Sequence, residues 1–482
     1  MNKQECAIKY VEDNYLQFNR LRHDIIADKL QVRCAHPIGD RLRAPHDTSV
    51  AGDPAEAKGE RQEQWREMTK HDINSIVCHA AQEYDANITS REVMTALQSD
   101  LIPDVHPLRE YILSLPPFTP EQPDWIDFVA SQVRVRTNNN EDTLIQQPKQ
   151  QITNNIPLAN TASGEGNNPI PSASEPSEHL NISSADRLWR GCFKKWFVAM
   201  VASWMKDEVV NHQVLVLIGK QGIFKTTWLE HLIPPHLRAY ACKLANSNDL
   251  NKDERLRIAE FGLISLDEID SMNNRELNQL KSVITATDVN ERAAYAYTKE
   301  RRVRLASFCA SGNRRDFLTD ITGNRRWLPF EVESIQNPFT TILPYERMYA
   351  QAWALAQDPL FSYWFDLDEI EVMEQHNQYF RDESNEEQLL PILFDVPAEG
   401  RGEFMTTAQI SERLVTYGNI KKPMALSRLG MVLGAAGFRA VTRNAGSGRA
   451  RGWIVYQRDN DEIKALRRLL KDETSQLDTA IY

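Results

Sequence analysis

The residues of this sequence that are best suited to chemistry follow an apolar run at residues 214–218, VLVLI. Such a run is typical of a strand buried on both faces of a parallel sheet. A glycine loop and a helix start can hold a phosphate chain, a lysine can contact its β- and γ-phosphates, and a hydroxyl can hold magnesium. We therefore predict that ATP and Mg²⁺ bind here, with Lys225 on the phosphates and Thr226 on the metal. The predicted ATP-binding residues are Gly219, Lys220, Gln221, Gly222, Ile223, Phe224, Lys225, Thr226 and Thr227.

This segment departs at one position from the pattern G-x-x-x-x-G-K-[ST]. Phe224 stands where the second glycine would be, and an additional glycine lies at position 222. Phenylalanine does not adopt a positive φ cheaply. Two interpretations stay open at this point: a variant loop path with Gly222 at the sharp turn, or no nucleotide site.

Two later apolar runs end in polar residues that suit the same chemistry. Asp267 and Glu268 follow the run Leu263–Leu266, and Asn313 comes soon after the run Leu305–Ala310. The carboxyl ends of such strands lie along one sheet edge, where α/β sheets bind ligands. We expect Asp267 to hold Mg²⁺ and Glu268 to orient and deprotonate the attacking water. The amide of Asn313 is placed to contact the γ-phosphate and that water.

Arg325 and Arg326 follow the third strand end, within TGNRRWLPF. A guanidinium stays charged at any relevant pH and its fork matches phosphate oxygens. We predict that one of them acts on the γ-phosphate of a neighbouring subunit, which requires an oligomer. A salt-bridged loop arginine is the alternative.

These candidate residues need a scaffold, and strand and helix patterns alternate from residue 186 to about 335. That order predicts a doubly wound α/β domain. An aromatic stripe from Trp189 to Trp204 recurs at helical spacing and is typical of a core face. Between Phe128 and Trp189 no aromatic residue occurs, and Asn, Gln, Ser and Pro are frequent. This composition cannot offset its chain entropy, so we predict a flexible linker, with an interaction segment as the alternative.

The predicted division of the chain has six parts. They are a helical N-terminal domain (1–136), a polar linker (137–185), a nucleotide-binding domain with a lid (186–358), a connecting helix (359–384), a winged-helix-like domain (385–460) and a charged tail (461–482). The winged-helix prediction rests on two helical patterns, Thr406–Val415 and Ala425–Ala436, followed by two strand-like runs.

Two basic clusters are candidates for contact with nucleic acid. Residues 290–304 read NERAAYAYTKERRVR, in which basic side chains can neutralise phosphates and aromatic rings can stack on bases. The predicted hairpin at 438–458 contains five arginines and no acidic residue. A solvated basic hairpin and a protein-docking module are the respective alternatives. The candidate residues are Arg292, Tyr297, Lys299, Arg301 and Arg302 in the first cluster, with Arg304 beside them, and Arg443, Arg449 and Arg451 in the second.

Composition restricts the partners and the cellular compartment that we expect for this chain. The chain has 482 residues and a formal net charge of −11, so only local basic clusters can serve nucleic acid. No apolar run approaches the roughly 20 residues of a membrane span, and the N-terminus has no signal-peptide pattern. The 6 cysteines are scattered without Cys-x-x-Cys spacing, which predicts core thiols. We expect a cytoplasmic protein without a membrane partner.

In its motifs the chain resembles the virulence-associated protein E family of P-loop ATPases, which is related to the superfamily 3 helicases of phages, plasmids and genomic islands. The resemblance covers residues 186–335 and rests on GKQGIFKTT, LISLDEID, SFCASGN and FLTDITGNRRWLPFEV. Weaker similarity extends to His106–Phe128 and to the C-terminal region, which resembles the tail domain of the Bacteroidetes-type branch. The GxFK variant of that branch would account for Phe224.

The resemblance implies an α/β fold with an AAA+-like P-loop NTPase sheet core, beside a mostly helical N-terminal region and a C-terminal winged-helix-like domain. It implies Walker A, Walker B and sensor roles for Lys225, Thr226, Asp267, Glu268 and Asn313, and a finger role for Arg325–Arg326. It also implies a homo-oligomeric ring that assists replication of a mobile element. Many members carry an N-terminal primase domain, but residues 1–135 lack the paired carboxylates of a primase.

Three functions follow from these features. The leading hypothesis is an ATP-driven motor on single-stranded or forked DNA, a helicase or a replication-initiation ATPase. The second is a regulatory ATPase switch that binds DNA or a protein without unwinding. The third is a DNA-binding adaptor whose altered loop binds nucleotide but hydrolyses it poorly.

Overall fold

The computed structural model describes residues 1–34, 64–136, 183–244, 252–291, 300–318, 324–398, 402–445 and 448–468. Its strands, in chain order, are β1 (Leu21–Asp24), β2 (Lys29–Cys34), β3 (Gln64–Glu67), β4 (Asp104–Val105), β5 (Val133–Val135), β6 (Val214–Ile218), β7 (Ala241–Leu244), β8 (Leu263–Leu266), β9 (Asp288–Glu291), β10 (Glu300–Val303), β11 (Ser307–Gly312), β12 (Trp327–Ile335), β13 (Phe394–Asp395), β14 (Glu403–Met405), β15 (Arg439–Ala445) and β16 (Gly448–Gln457).

The α-helices are α1 (Lys3–Val11), α2 (Lys70–Glu83), α3 (Ser90–Leu97), α4 (Pro107–Ser114), α5 (Trp125–Ala130), α6 (Ser184–Met205), α7 (Lys225–His231), α8 (Lys252–Glu260), α9 (Asn274–Thr285), α10 (Tyr345–Gln357), α11 (Leu367–Asn377), α12 (Asn385–Leu393), α13 (Thr407–Gly418) and α14 (Leu426–Ala435). A π-helical turn (Glu12–Leu16) extends α1, and short 3-10 segments include Ile269–Ser271 and Asn324–Arg326. The predicted α/β class is confirmed.

The central sheet is built from the continuous apolar runs. Its strand order is β5-β12-β6-β11-β8-β7, and all of these strands are parallel except β5, which pairs antiparallel with β12. Every residue of β6 is buried, because helices cover both faces of the sheet. Ile218 pairs with both Gly312 of β11 and Glu331 of β12, so the carboxyl ends of β6 and β11 lie side by side, next to the middle of β12.

Alternate residues of β6 point into two hydrophobic cores. Leu215 and Leu217 contribute to the larger core, which also contains the aromatic stripe of α6, as predicted. Trp189 and Trp196 are fully buried there, and their indole N–H groups donate to the carbonyls of Ala130 and Phe308. The other residues of β6 face a second core that contains apolar residues of α9. The sheet is therefore held from both sides by side chains that the sequence pattern assigned to its interior.

The N-terminal region contains more than the predicted helices. Strands β1 to β4 form a four-stranded sheet in the order β3-β2-β1-β4, packed with α1, α2 and α3 around a separate core. This sheet was not predicted, because its strands are short and rich in charged residues, as in Leu21–Asp24. The N-terminal domain predicted to be helical over residues 1–136 therefore also contains strands, the first of which begins at Leu21.

The end of the N-terminal region packs with the central sheet. Strand β5 pairs with β12, and α4 and α5 contribute Leu108, Ile112 and Ile126 to the larger core. The predicted boundary at residue 136 therefore separates elements that share one sheet and one core. Most of the predicted linker lies outside the described residues, and α6 begins at Ser184, two residues before the predicted start of the next part.

The C-terminal part contains two helices and a hairpin in the predicted order. The side chain of Thr406 caps α13, and α14 follows before the hairpin of β15 and β16. Strand β14 joins the other edge of β16, and Trp453 packs into a core shared with both helices. Its indole N–H donates to the hydroxyl of Thr407 at 3.0 Å. The predicted charged tail begins within a helical stretch at 460–468.

Candidate nucleotide site

The loop after β6 is shaped by close backbone contacts. A Cβ atom on Gly219 would lie 2.7 Å from the carbonyl oxygen of Val332, so only glycine fits. The N–H of Gly219 donates to the carbonyl of Gly312, which fixes the loop against the neighbouring strand end. Gly222 has a φ of +85°, a conformation that glycine adopts readily.

Phe224 adopts the conformation that the glycine of the usual pattern favours. Its φ is +67°, and it immediately precedes α7, which begins at Lys225. A left-handed conformation costs a non-glycine residue about 1–2 kcal/mol. The Phe224 ring contacts Phe339 at 6.3 Å between centroids, and Phe339 also contacts the ring of His231 at 5.5 Å. The loop therefore has left-handed residues at both positions, Gly222 and Phe224.

Lys225 lies in the centre of this edge of the sheet. Its Nζ donates to the carbonyls of Gly219 and Lys220, both at 2.7 Å, and to Oδ1 of Asn313 at 3.3 Å. Burial lowers the pKa of Lys225, while Asp270 and Asp267 oppose that shift. The ammonium is thus held where the loop and the end of β11 converge, with neutral acceptors that a phosphate oxygen can replace.

Asp267 connects three strand ends through both carboxylate oxygens. Oδ1 accepts from the hydroxyls of Thr226 at 3.2 Å and Ser311 at 2.8 Å. Oδ2 forms an ion pair with Lys243 at 2.8 Å. Burial would raise the pKa of Asp267, but the hydrogen bonds from Lys243 and Ser311 outweigh it, so this pKa is lowered.

Glu268 and Asn313 lie at the exposed side of this cluster. Glu268 has a φ of +52° and its side chain is exposed, which leaves the carboxylate open to solvent. Asp270 accepts from the backbone N–H groups of Asn313 at 3.0 Å and Arg314 at 3.2 Å, and so holds the segment after β11.

Sequence reasoning missed three participants: Ser311, Lys243 and Asp270. Ser311 and Asp270 lie inside motifs that had been singled out, so their nearness to Asn313 and Asp267 was a usable signal. Lys243 had no signal, because it comes from β7, which the sequence analysis did not identify as a strand of the sheet.

Arg325 and Arg326 lie at the other end of the strands, where β6 and β12 begin. They immediately precede β12, whose first residue, Trp327, pairs with Val214 at the beginning of β6. The length of β6 separates them from the loop, roughly 13 Å at about 3.3 Å per residue. Arg325 is exposed and Arg326 is half-buried. The two arginines therefore do not join the cluster around Lys225 of their own chain.

The first basic cluster is only partly described, because Arg292, Tyr297 and Lys299 lie outside the described residues. Arg301 is 75% exposed and pairs with Asp288. Arg302 is 18% exposed and pairs with the carboxylates of Asp28 and Glu260. Of Arg301 and Arg302, both predicted to contact nucleic acid, Arg301 is therefore the more accessible.

Arg304 does not belong to a solvent-exposed cluster, which corrects the sequence prediction. It is 1% exposed, and its guanidinium donates to the backbone carbonyls of Ile284, Ala306 and Asn211. A buried guanidinium satisfied by carbonyls serves the structure at the base of the β9–β10 hairpin, and it cannot contact a nucleic acid.

The second basic cluster is divided between two faces of its hairpin. Arg449 and Arg451 are two residues apart on β16, so their side chains share one face, whereas Arg443 pairs with Ala450 and lies on the other. The face of Arg449 and Arg451 is also that of Trp453, which packs near Gly430 and Gly434 of α14. Arg443 stacks on Phe404 at 5.2 Å.

The described residues include neither a membrane-spanning helix nor a cluster of metal-ligating side chains. Among those residues, no helix has the length and apolar character to cross a bilayer. The same part of the chain contains no group of three or more His, Cys, Asp or Glu side chains arranged around a common metal position. A metal at Thr226 and Asp267 would therefore need further ligands from water or a bound substrate.

Comparison with known proteins identifies one family. Residues 174–387 match the family described as the virulence-associated protein E-like domain. Solved structures of the NrS-1 C-terminal region align with 11% identity. One has a TM-score of 0.42 and covers 92% of this chain and 98% of that one; another has a TM-score of 0.40 and covers 93% and 99%. No curated protein matches the chain. Over residues 174–387 the chain is therefore similar to the virulence-associated protein E-like domain.

Proposed function

We propose that this protein is a P-loop ATPase that acts on nucleic acid during replication of a mobile element. The observation that carries the proposal is the cluster of Lys225, Thr226, Asp267 and Asn313 at the adjoining carboxyl ends of β6, β8 and β11. Hydrogen bonds of 2.8–3.3 Å join Lys225 to Asn313, and join Thr226 to Asp267 both directly and through Ser311. The family match supports the proposal, since the motifs that form the cluster lie within it.

The cluster suits a nucleoside triphosphate. The first N–H groups of α7, which begins at Lys225, have no acceptor within the helix. Exchange of the carbonyl acceptors of Lys225 for phosphate oxygens would replace neutral acceptors by charged ones, so that the hydrogen bonds of the ammonium would become ion pairs. The sequence pattern and this geometry support ATP binding by residues 219–227.

The donor set at Thr226 and Asp267 fits Mg²⁺. Magnesium is usually bound by one or two carboxylates together with substrate phosphates and several waters. A hydroxyl and a carboxylate oxygen 3.2 Å apart provide such a partial set. When bound, the ion would neutralise charge that develops on the phosphates.

Glu268 and Asn313 would complete the hydrolytic site. The exposed carboxylate of Glu268 follows Asp267 directly, so it can orient a water toward the γ-phosphate and accept its proton. The amide of Asn313 would report the state of that phosphate through its contact with Lys225. The water oxygen would form the new bond to phosphorus as the bond to the β-γ bridging oxygen breaks.

Arg325 and Arg326 support an oligomeric enzyme. Their position at the far edge of the sheet prevents contact with the nucleotide of their own chain, whereas a neighbouring subunit's nucleotide can be reached from an exposed edge. We therefore propose a homo-oligomeric ring in which this pair completes the site of the adjacent subunit.

Nucleic acid would contact the β9–β10 hairpin and the C-terminal winged-helix-like domain. Arg301 offers an exposed guanidinium in the first region. Arg449 and Arg451 share the hairpin face that adjoins α14 in the second, which is the arrangement that a wing and a helix need to bind one duplex together.

The test measures ATP turnover with and without single-stranded DNA, unwinding of a forked duplex, and the particle mass. We expect DNA-stimulated turnover, unwinding and a mass of several chains. ATP turnover that does not change when DNA is added, together with no unwinding, would favour a regulatory ATPase switch. Absence of both ATP binding and turnover would contradict the proposal.

A further inference from the structure

Lys243 occupies an unusual position at the edge of the nucleotide site. It lies on β7, where it pairs with Ser265, and its Nζ is 2.8 Å from Oδ2 of Asp267. Oε1 of Glu230 is 3.9 Å from the same Nζ. A lysine from the edge strand thus contacts the one carboxylate that is placed to serve as a protein ligand of the metal.

Because of this contact, the two carboxylate oxygens of Asp267 have different partners. Oδ1 faces the hydroxyls of Thr226 and Ser311, while Oδ2 is held by Lys243. With one oxygen held on each side, the carboxylate plane is fixed. Lys243 therefore acts as a positioning residue that keeps Oδ1 directed toward the loop.

The contact also alters the charge that a cation would meet. The side chains of Lys243 and Asp267 are 45% and 29% exposed, and ion pairs this accessible contribute little to folding stability. The charge of Lys243 still cancels that of Asp267 locally, and Lys225 adds a second positive charge nearby. Asp270, Glu230 and Glu268 add negative charge around the two lysines, so Lys243 weakens, without cancelling, the attraction that a divalent cation arriving alone would meet, and the phosphates of a nucleotide would strengthen that attraction.

We propose that Lys243 makes metal binding at this site conditional on the nucleotide. It orients Asp267 and offsets its charge, so that a divalent cation binds more tightly together with a triphosphate than as a free ion. This inference rests on the proposed ATPase function.

The experiment measures Mn²⁺ binding by electron paramagnetic resonance, with and without ATP, for the full chain. We compare the unaltered protein with Lys243→Met, Lys243→Gln and the charge-conserving Lys243→Arg. Lys29→Met is the matched control, because Lys29 forms an ion pair of the same 2.8 Å length with Glu67 away from this site.

Without ATP we expect Lys243→Met and Lys243→Gln to bind Mn²⁺ about tenfold more tightly, because one positive charge near the ion is removed. Lys243→Arg and Lys29→Met should bind as the unaltered protein does. With ATP present the difference should shrink to about twofold, since the phosphates then dominate the field.

Equal Mn²⁺ affinity of Lys243→Met, Lys243→Gln and the unaltered protein without ATP would overturn the inference. A parallel titration with a fluorescent ATP analogue separates this failure from that of the proposed function. If the analogue binds but the Mn²⁺ affinities are equal, only the role of Lys243 is wrong. If the unaltered protein does not bind the analogue, the ATPase proposal fails and the inference fails with it.

Discussion

The central sheet carries the same tripeptide, Asn-Arg-Arg, at the two ends of its parallel strands. The side where the strands have their carboxyl ends is called the carboxyl edge, and the side where they have their amino ends is called the amino edge. Asn313-Arg314-Arg315 follows β11 at the carboxyl edge, and Asn324-Arg325-Arg326 precedes β12 at the amino edge. At the carboxyl edge Asn313 is exposed and its amide contacts Lys225. At the amino edge Asn324 is buried, and its carbonyl accepts from the side chain of Asn377.

The difference shows that strand direction, more than residue identity, sets the role of these residues. A residue after a parallel strand meets the ends of the neighbouring strands and the helix starts that follow them. A residue that precedes a strand lies at the amino ends of the neighbouring strands, which in this sheet are roughly 13 Å from their carboxyl ends. Under the proposed function, nucleotide chemistry belongs to the carboxyl edge and contacts with a neighbouring subunit belong to the amino edge.

The largest expected effect is at the carboxyl edge. Lys225→Ala should abolish detectable ATP turnover, because the triphosphate loses its only buried cation among the residues described in this cluster. Lys194→Ala is the control: this partly buried lysine pairs with Asp124, which is not part of the nucleotide cluster, so its loss should reduce stability and leave turnover intact. Turnover that survives in Lys225→Ala would contradict the assignment of this edge.

Loss of the two arginines at the amino edge should lower ATP turnover nearly as strongly, and mixing with a second variant should restore part of the turnover. The double variant Arg325→Ala/Arg326→Ala should lose about 1,000-fold in turnover, the lower range for a phosphate-directed arginine supplied by a neighbour. Mixing it with Lys225→Ala subunits should restore part of the activity, because some interfaces then combine an intact loop with intact arginines. Absence of rescue at every mixing ratio would refute action between subunits.

The two asparagines provide a matched pair. Asn313→Ala should lower turnover about 100-fold with an unchanged free energy of unfolding, since it removes one polar contact at the reacting phosphate. Asn324→Ala should instead lower the free energy of unfolding by about 1 kcal/mol, because it removes a buried side chain, and should keep turnover at permissive temperature; the backbone carbonyl that accepts from Asn377 is retained. Denaturant titration and turnover of both variants measure this, and the reverse pattern would overturn the comparison of the edges.

A smaller effect is expected at the hairpin of β15 and β16. Arg449→Ala/Arg451→Ala should weaken duplex DNA binding several-fold and reduce the salt dependence of log K by about 1 to 2. Arg443→Ala should change little, because its side chain lies on the other face and stacks on Phe404. Equal losses in both variants would mean that DNA does not discriminate between the two faces.

The smallest effect concerns pH. Burial lowers the pKa of Lys225, so the ammonium should lose its proton at a lower pH than an exposed lysine. The kcat/KM for ATP, which reports the free enzyme, should therefore decline on the alkaline side below the ordinary lysine pKa. The free energy of unfolding should not decline with it, since a depressed lysine pKa makes the unfolded state bind more protons there, and stability rises with pH. DNA binding through arginines should stay constant across the same range.

The sequence by itself determined the local features of this protein. Apolar runs predicted β6, β8 and β11, the glycine loop predicted the start of α7, and the aromatic stripe predicted the buried face of α6. These predictions succeed because each depends on residues close together in the chain, where periodicity and backbone preference act directly. The predicted roles of Lys225, Asp267 and Asn313 as one cluster also follow from strand ends alone.

Only the tertiary structure decided which distant residues meet. The contact of Lys243 with Asp267 depends on β7 lying beside β8, and the participation of β5 in the sheet depends on pairing with β12 nearly 200 residues later. Burial of Arg304 depends on carbonyls from three separate segments. Such contacts arise from the order of strands in the sheet and from packing around it. Neither of these is encoded in the spacing of neighbouring residues, and so the sequence pattern could not predict them.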